Sequence, residues 1–290
     1  MATHRFGTGT RSANARASIQ QDGSPQAGAE RERASVGQLL RHWRQFRRFS
    51  QLELALRADV SARHLSFVET NRAAPSREMI LHLADHLDVP LREQNQMLLA
   101  AGFAPVYSDL SLDSPELAAV RSALGQLLAA HEPYPAAVVD RHWNLVQANR
   151  SIALFTECVD PTLLTPPANV LRASLHPRGM APLIINLDEW RAHLIGRLRR
   201  QFEATRDPAL GDLYDELLGY PGGNSKDMPV HGDADGVVVP LRFRHDDQEL
   251  RFFSTVATFG TPLDITVAEI VIESFFPADD PTRAFLQARG

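Results

Sequence analysis

The stretch from Ser50 to Glu69, SQLELALRADVSARHLSFVE, constrains this chain more than any other. Ser50 followed three residues later by Glu53 has the spacing of a capping box, so a helix is predicted over Gln51–Ala58. Asp59-Val60 leaves room only for a tight turn, and Ser61 is placed to cap a second helix running to about Thr70. Two short helices joined this closely must cross near contact, which calls for a small residue on the first; Ala55 supplies it. Val60 anchors the turn and Leu65 and Val68 point inward, which leaves Ala62, Arg63, Ser66 and Phe67 on the outward side.

The flanking sequence extends this unit. Leu39, Trp43 and Phe46 share one face of a helix beginning near Val36, with Arg41, Arg44, Arg47 and Arg48 largely off that face. Pro75-Ser76 opens a helix over Arg77–Leu87, and Pro90 opens another over Leu91–Ala101 that stops at Gly102. An all-α unit over residues 34–104 is therefore expected. Its pattern, Ser50-Gln51, Leu54-Ala55, Val60-Ser61, Glu69 and Pro75-Ser76, resembles the Xre (lambda-repressor-like) helix-turn-helix family. That resemblance implies double-stranded DNA as partner, with Gln51 helping to anchor a phosphate and Ala62, Arg63 and Phe67 facing the groove. Asp59 stands where the family usually has Gly, and Asn71 follows Thr70 where Gly is common; both types tolerate the left-handed conformation.

Within such a motif Arg63 reads as a base or phosphate contact, elsewhere as a solvated arginine. His64 reaches a phosphate or caps local structure, and Phe67 touches a thymine methyl or packs on the turn. Ser61 lies at the same helix start, and Arg47 and Arg48 are the phosphate candidates of the first helix. Charge agrees: residues 1–103 carry 14 arginines against 10 acids, whereas residues 104–290 carry 16 basic residues against 25 acids. A basic part joined to an acidic one suits a DNA-binding unit tethered to something that should stay off phosphates.

The remainder reads differently. Residues 1–33, rich in Gly, Ser, Ala, Gln and Arg, are expected to be a disordered tail, residues 105–278 a second domain, and residues 279–290 a C-terminal tail. Helices are predicted over Ser114–His131, around Leu154-Phe155, over Asp188–Gln201 and over Pro208–Leu218. Strands are predicted over Ala136–Val139, His142–Ala148, Gly236–Arg244, Glu249–Phe259 and Ile265–Phe275, with a hairpin turn at His245–Gln248. Strands at both ends with helices between predict an α+β domain on an antiparallel sheet. No apolar run is long enough to span a membrane and no apolar core follows the N-terminal arginines, so no membrane insertion and a cytoplasmic location are expected.

Further stretches narrow the resemblance: Arg63–Glu69, Pro75–Met79, Pro90–Glu93, Leu98–Pro105, Tyr134-Pro135, Val139–Asn144, Ala148-Asn149, Asn169–Arg172, His176-Pro177 and Asn186–Trp190 look like the MmyB-like branch of the Xre regulators. Membership implies a multi-domain protein whose C-terminal domain is α+β and PAS-like, with an internal apolar pocket for a fatty-acid-like molecule. Trp143, Phe155, Leu163, Trp190, Leu194, Phe253 and Val256 are candidates for its lining or for ordinary core. Arg172, His176, His193 and Arg197 are candidates for meeting a carboxylate, because an unpaired buried charge is costly. Leu52 and Leu56 face outward and are candidates to pack on the second domain or on a partner.

Catalysis is not expected, nor any cofactor or metal. Cys158 is the sole cysteine, the 11 histidines show no ligand spacing, and Pro221-Gly-Gly-Asn224 follows a helix rather than a strand. His231-Gly-Asp233 and Asp235-Gly236 read as a loop. The leading expectation is a homodimeric regulator whose DNA affinity responds to a small apolar ligand. The alternative is a DNA-binding regulator whose second domain only dimerises or recruits a protein.

Overall fold

The computed structural model describes residues 34–205, 207–221 and 239–290. The N-terminal tail, the His231–Gly236 loop, most of the Pro221–Asn224 turn and the start of the strand read from Gly236 lie outside these residues. Ser35–Gly290 forms one compact unit.

Five short helices open it: α1 (Val36–Phe46), α2 (Gln51–Arg57), α3 (Ala62–Glu69), α4 (Arg77–His86) and α5 (Leu91–Ala100). Their starts follow from side-chain caps. Ser35/Gln38 and Ser50/Glu53 form reciprocal capping boxes, and the Ser61 and Ser76 hydroxyls accept from the third backbone N–H of α3 and α4. Asp59 and Asn71 take φ of 49° and 58°, the left-handed turn conformations expected of them. Leu40, Leu54, Leu65, Ile80, Leu83 and Leu98 form the shared core. Ala55 of α2 is buried, and α1 also meets α3 closely at Gly37, where a Cβ would lie 2.3 Å from the Val68 carbonyl oxygen.

The second part holds α6 (Ala118–Ala130), β1 (Ala136–Val139), β2 (Leu145–Ala148), α7 (Ala153–Thr156), α8 (Val170–Leu175), α9 (Leu187–Thr205), α10 (Pro208–Leu218), β3 (Leu241–His245), β4 (Gln248–Ala257), α11 (Ile265–Glu269), β5 (Val271–Pro277) and α12 (Asp280–Arg289). The strands make an antiparallel sheet in the order β2-β1-β5-β4-β3. One face packs on α6 through Leu124, Leu128, Ala136, Val138 and Ile272. The other carries Leu241, Phe243, Phe252 and Phe275 against Phe155, Leu171, Trp190, Leu194 and Leu213 of the helices. An all-α unit followed by an α+β domain is the architecture the sequence predicts. No helix of the described residues is long and apolar enough to cross a membrane.

Among the boundaries that differ from expectation, four have a plain local reason. The Ile265–Phe275 run does not form a single strand: Asp264 accepts from the Val267 N–H and caps α11, so β5 begins only at Val271. Residues 280–289 are a helix rather than a tail, capped by Asp279 and held by buried Leu286 and by Thr282, whose hydroxyl accepts from the Arg251 N–H at 2.9 Å. The strand read from His142 starts at Leu145, because Asp140 accepts from the N–H groups of His142 and Asn144 at 2.8 and 2.9 Å and turns the chain, with Trp143 at φ 67°. The helix read from Ser114 begins as a short 3₁₀ turn, Pro115–Leu117, before α6.

Candidate functional site

The outward face of α3 carries the groups the sequence singles out. Arg63 is exposed, with its guanidinium 5.4 Å from the centroid of half-buried Phe67, so the Phe67 ring both packs on the helix and supports the arginine. Ser61 is exposed at the helix start, beside Ala62 and His64, and Arg48 is exposed with φ 58° in the turn after α1. Behind this face lies a buried ion pair. Arg44 of α1 donates to both carboxylate oxygens of Glu69 at 2.6 and 2.8 Å and to the Phe49 carbonyl at 2.7 Å.

Two of the candidates also make bonds inside the fold. Gln51, a phosphate anchor by resemblance, donates its side-chain N–H to Glu69 at 2.8 Å, which fixes α2 on α3. Arg47, a phosphate candidate by position, donates to the Leu87 and Asp88 carbonyls at 2.7 and 2.6 Å. It closes the C-terminal end of α4, where carbonyls lack helical partners. Leu52 and Leu56 do not pack on the second domain; they are 61% and 73% exposed.

In the second domain a cavity of about 90 Å³ lies between the sheet and its covering helices. Ala137 and Val139 of β1, Phe275 of β5, Phe155 of α7, Leu171 of α8, and Trp190 and Leu194 of α9 line it. Of the predicted lining, Phe155, Trp190 and Leu194 are therefore in place. Leu164 lines it rather than Leu163, whose side chain packs nearby on the core. Phe253 is on the opposite sheet face, stacked on Phe276 at 5.2 Å between centroids. This follows from strand alternation, since neighbouring Phe252 points into the core.

None of the four candidate cations lines the cavity. Arg172 makes a fork to Glu216 at 2.7–2.9 Å, and Glu216 also accepts from Tyr220. His176 meets the Tyr220 ring edge-on at 4.9 Å. His193 stacks on Trp190 at 5.5 Å, and burial, with Arg197 and Arg200, holds its pKa below the ordinary value. Arg197 lies 4.8 Å over Trp143 and donates to Glu273 at 3.1 Å. Glu273 does line the cavity, 7% exposed, and sequence reasoning missed it. The signal was available: an acid stands between Val271 and Phe275 on the inward face of a period-two strand.

Arg197 and Trp143 face a second space, a cleft of about 470 Å³ between α5 and the second domain. Val256 lines this cleft and not the cavity. Arg92 and Glu93 of α5 meet Arg141, Asp207 and Glu269 there. Arg141 lies 3.3 Å from Asp207 and 3.9 Å from Glu269, and His142 bonds Asp207 at 2.8 Å. The Glu273–Arg197 pair thus stands between the apolar cavity and the polar cleft.

Many residues that carry the family resemblance turn out to hold loops. Asn149 accepts from the Ala136 N–H at 3.0 Å and donates to the Tyr134 carbonyl at 2.7 Å. Asn169 caps α8 and donates to the His142 carbonyl at 2.8 Å. Asn186 donates to the Pro240 carbonyl at 2.8 Å and accepts from the Arg242 N–H at 3.1 Å. Among the described residues no group of three or more His, Cys, Asp or Glu side chains is placed to hold a metal. The Cys158 thiol donates to the Phe155 carbonyl, and burial pushes its pKa up, away from the thiolate a nucleophile needs.

Comparison with known families matches both parts. A helix-turn-helix model covers residues 40–94, and the model of the MmyB-like transcription regulator ligand binding domain covers residues 120–288. No curated protein matches the chain. With more than half of its length matched by that second model, the chain belongs to the MmyB-like transcription regulators, in which a DNA-binding helix-turn-helix precedes a ligand-binding domain.

Proposed function

We propose that this regulator binds a near-palindromic operator as a homodimer and that a small, mostly apolar molecule in the cavity of its PAS-like domain sets its affinity for DNA. The observation that carries this reading is the apolar cavity between the sheet and its covering helices, with the Glu273–Arg197 pair between it and the cleft against α5. In this reading α3 of each protomer enters the major groove, with Arg63 at the base edges or phosphates, Phe67 beside it and Ser61, Ala62, His64 and Arg48 around them. Exposed Leu52 and Leu56 are then candidates for the contact between protomers rather than between domains.

The fatty-acid-like ligand implied by the resemblance enters through its apolar chain. Ligand pockets commonly run to about 300–1,000 Å³, so a cavity of about 90 Å³ must widen to take such a chain. That requirement supports regulation: a ligand admitted only by a widened state shifts the protein toward that state by its difference in affinity. The same small volume favours the second reading, in which the domain only dimerises or recruits a partner.

Native and denaturing mass spectrometry of the full chain separates the two. The expected result is a native mass excess that vanishes on denaturation, with the extracted molecule altering operator affinity when returned to stripped protein. A clean apo mass, together with a melting temperature that no apolar compound moves, would leave the dimerisation reading in its place.

A further inference from the structure

The apolar cavity and the polar cleft are neighbours across the end of β1. Val139, the last residue of that strand, lines both spaces, and Glu273 on the cavity side accepts from Arg197 on the cleft side at 3.1 Å. Ligand pockets commonly run to about 300–1,000 Å³; the cavity, about 90 Å³, falls short of that range and the cleft, about 470 Å³, lies within it. The cavity wall also offers an ionised group little to hold. Asn169 already accepts from the Leu171 and Arg172 N–H groups and donates to the His142 carbonyl. The Ser174 hydroxyl accepts from the Trp190 indole N–H at 3.1 Å, and Glu273 is itself an acid. A charged head left among these groups would be buried without a partner.

The cleft is supplied differently. Arg197 and Arg200 stand three residues apart on α9, so they share one side of the helix, and both line the cleft. Arg197 is committed to Glu273 and rests over Trp143. Arg92 is held by Asp109 and Glu269, and Arg141 lies between Asp207 and Glu269. Arg200 is exposed, and among the described residues it makes no hydrogen bond or ion pair. A guanidinium holds a carboxylate or phosphate through paired, directed bonds. Glu93 of α5 also lines the cleft, and burial holds its carboxyl above the ordinary range, toward the neutral form that an incoming anion tolerates.

Resting on the reading of the cavity as the ligand site, we infer that the site is bipartite: it takes an amphipathic anion whose apolar tail fills the cavity and whose acidic head lies in the cleft on Arg200, while Arg197 stays on Glu273. The tail passes between the two spaces beside Val139. Such a ligand touches both parts of the chain, because Pro90, Arg92 and Glu93 of α5 line the same cleft. Arg200 is then the residue that selects the ligand's head, and occupancy is read directly where the DNA-binding region meets the ligand-binding domain.

The test compares octanoate with octan-1-ol, its uncharged counterpart of equal chain length, on the full chain by ligand-observed NMR titration at pH 7.5. Arg200→Ala is expected to weaken octanoate by about fivefold, the upper value of an exposed ion pair, and to leave octan-1-ol unchanged. Arg200→Lys, which keeps the charge and loses the fork, is expected to recover part of the octanoate affinity. Added salt should weaken octanoate and not octan-1-ol. Octanoate binding equally well to the unmodified chain and to Arg200→Ala, both ligands weakening alike, or octan-1-ol binding where octanoate does not, overturns the bipartite site and leaves the cavity as a ligand site. Failure of both ligands to bind the unmodified chain removes that site as well, and the ligand-responsive reading falls with it.

Discussion

Arg92 on α5 holds Glu269 at the end of α11 through bonds of 2.7 and 2.9 Å, and the same guanidinium holds Asp109 through bonds of 2.6 and 2.9 Å. One side chain thus joins the last helix of the DNA-binding region, the segment that follows it and the ligand-binding domain. Glu269 lies four residues before Glu273 on the same stretch of chain, which carries both the junction and the cavity wall. A planar fork with fixed donor directions transmits reorientation better than a point charge, since it is satisfied at one angle and loses bonds at others.

Arg92→Ala is expected to destabilise the chain by about 1–3 kcal/mol, between the values for exposed and buried pairs that lose one partner, because its side chains are partly exposed. Arg92→Lys keeps the charge and loses the fork, so its stability loss should be smaller. Both variants should bind operator DNA yet lose most of the ligand's effect on that binding. Urea denaturation reads the first effect, and operator titration with and without ligand the second. An undiminished ligand response in both variants would remove Arg92 from the coupling.

Glu93 provides a pH signature of the same junction. Burial pushes its carboxyl above the ordinary range; Arg141 and Arg92 oppose this, and Glu269 and Asp207 add to it. The folded state therefore favours the protonated form. Stability falls as pH rises from the ordinary glutamate value, near 4.3, through the raised folded-state value, and the loss is complete above it. Glu93→Gln should melt higher than the unmodified chain at pH 7, with the gain shrinking to nothing toward pH ~4. Melting curves from pH 4 to 8 check this, and a gain that stays constant across the range contradicts the assignment.

Arginines 63 and 47 should part company. Arg63 is exposed beside Phe67, so Arg63→Ala should leave stability nearly unchanged and weaken specific DNA binding by about 1–3 kcal/mol, the discrimination of a good arginine–base contact. Arg47 closes α4 through the Leu87 and Asp88 carbonyls, so Arg47→Ala should lower the melting temperature and leave the salt dependence of DNA binding alone. The opposite pattern, Arg47→Ala flattening the salt slope at unchanged stability, would return it to the phosphate-contact role.

The DNA-binding half was legible because its signals are local. Ser50, Glu53, Ser61 and Ser76 act within three residues of themselves, and Asp59 and Asn71 need only their own backbone angles. What was not legible depends on contacts far along the chain. Arg47 meets carbonyls 40 and 41 residues away, and Arg172 meets Glu216, 44 residues away; no spacing rule foretells either. Phe253 shows a narrower failure. The strand was found, but its side-chain parity was not followed through, which would have put Phe252 inward and Phe253 outward. Glu273 was hidden for the same reason: it shares the inward parity of Phe275 in the strand read from the sequence, and that parity was not followed through.

The Arg44–Glu69 pair gives the sharpest stability prediction, because it lies inside the motif and away from any ligand. Burial would push the Glu69 carboxyl up, but hydrogen bonds from Arg44 and Gln51, with the charges of Arg44 and Arg41, hold it below the ordinary range. A depressed carboxylate stabilises the fold above the ordinary glutamate value and loses that contribution as pH falls through the folded-state value. Glu69→Ala leaves the Arg44 guanidinium buried without its carboxylate and should destabilise the DNA-binding region by about 3–5 kcal/mol. Gln51→Ala removes one bond to a charged group and should remove about 1.5–3 kcal/mol. Urea denaturation at pH 7 and pH 4 measures both. The Glu69→Ala deficit should narrow at the lower pH, where the carboxyl of the unfolded chain has begun to take up a proton and the contribution of the ionised pair shrinks. A deficit equal at the two pH values would mean that packing around Glu69, and not its charge, holds α1 against α3.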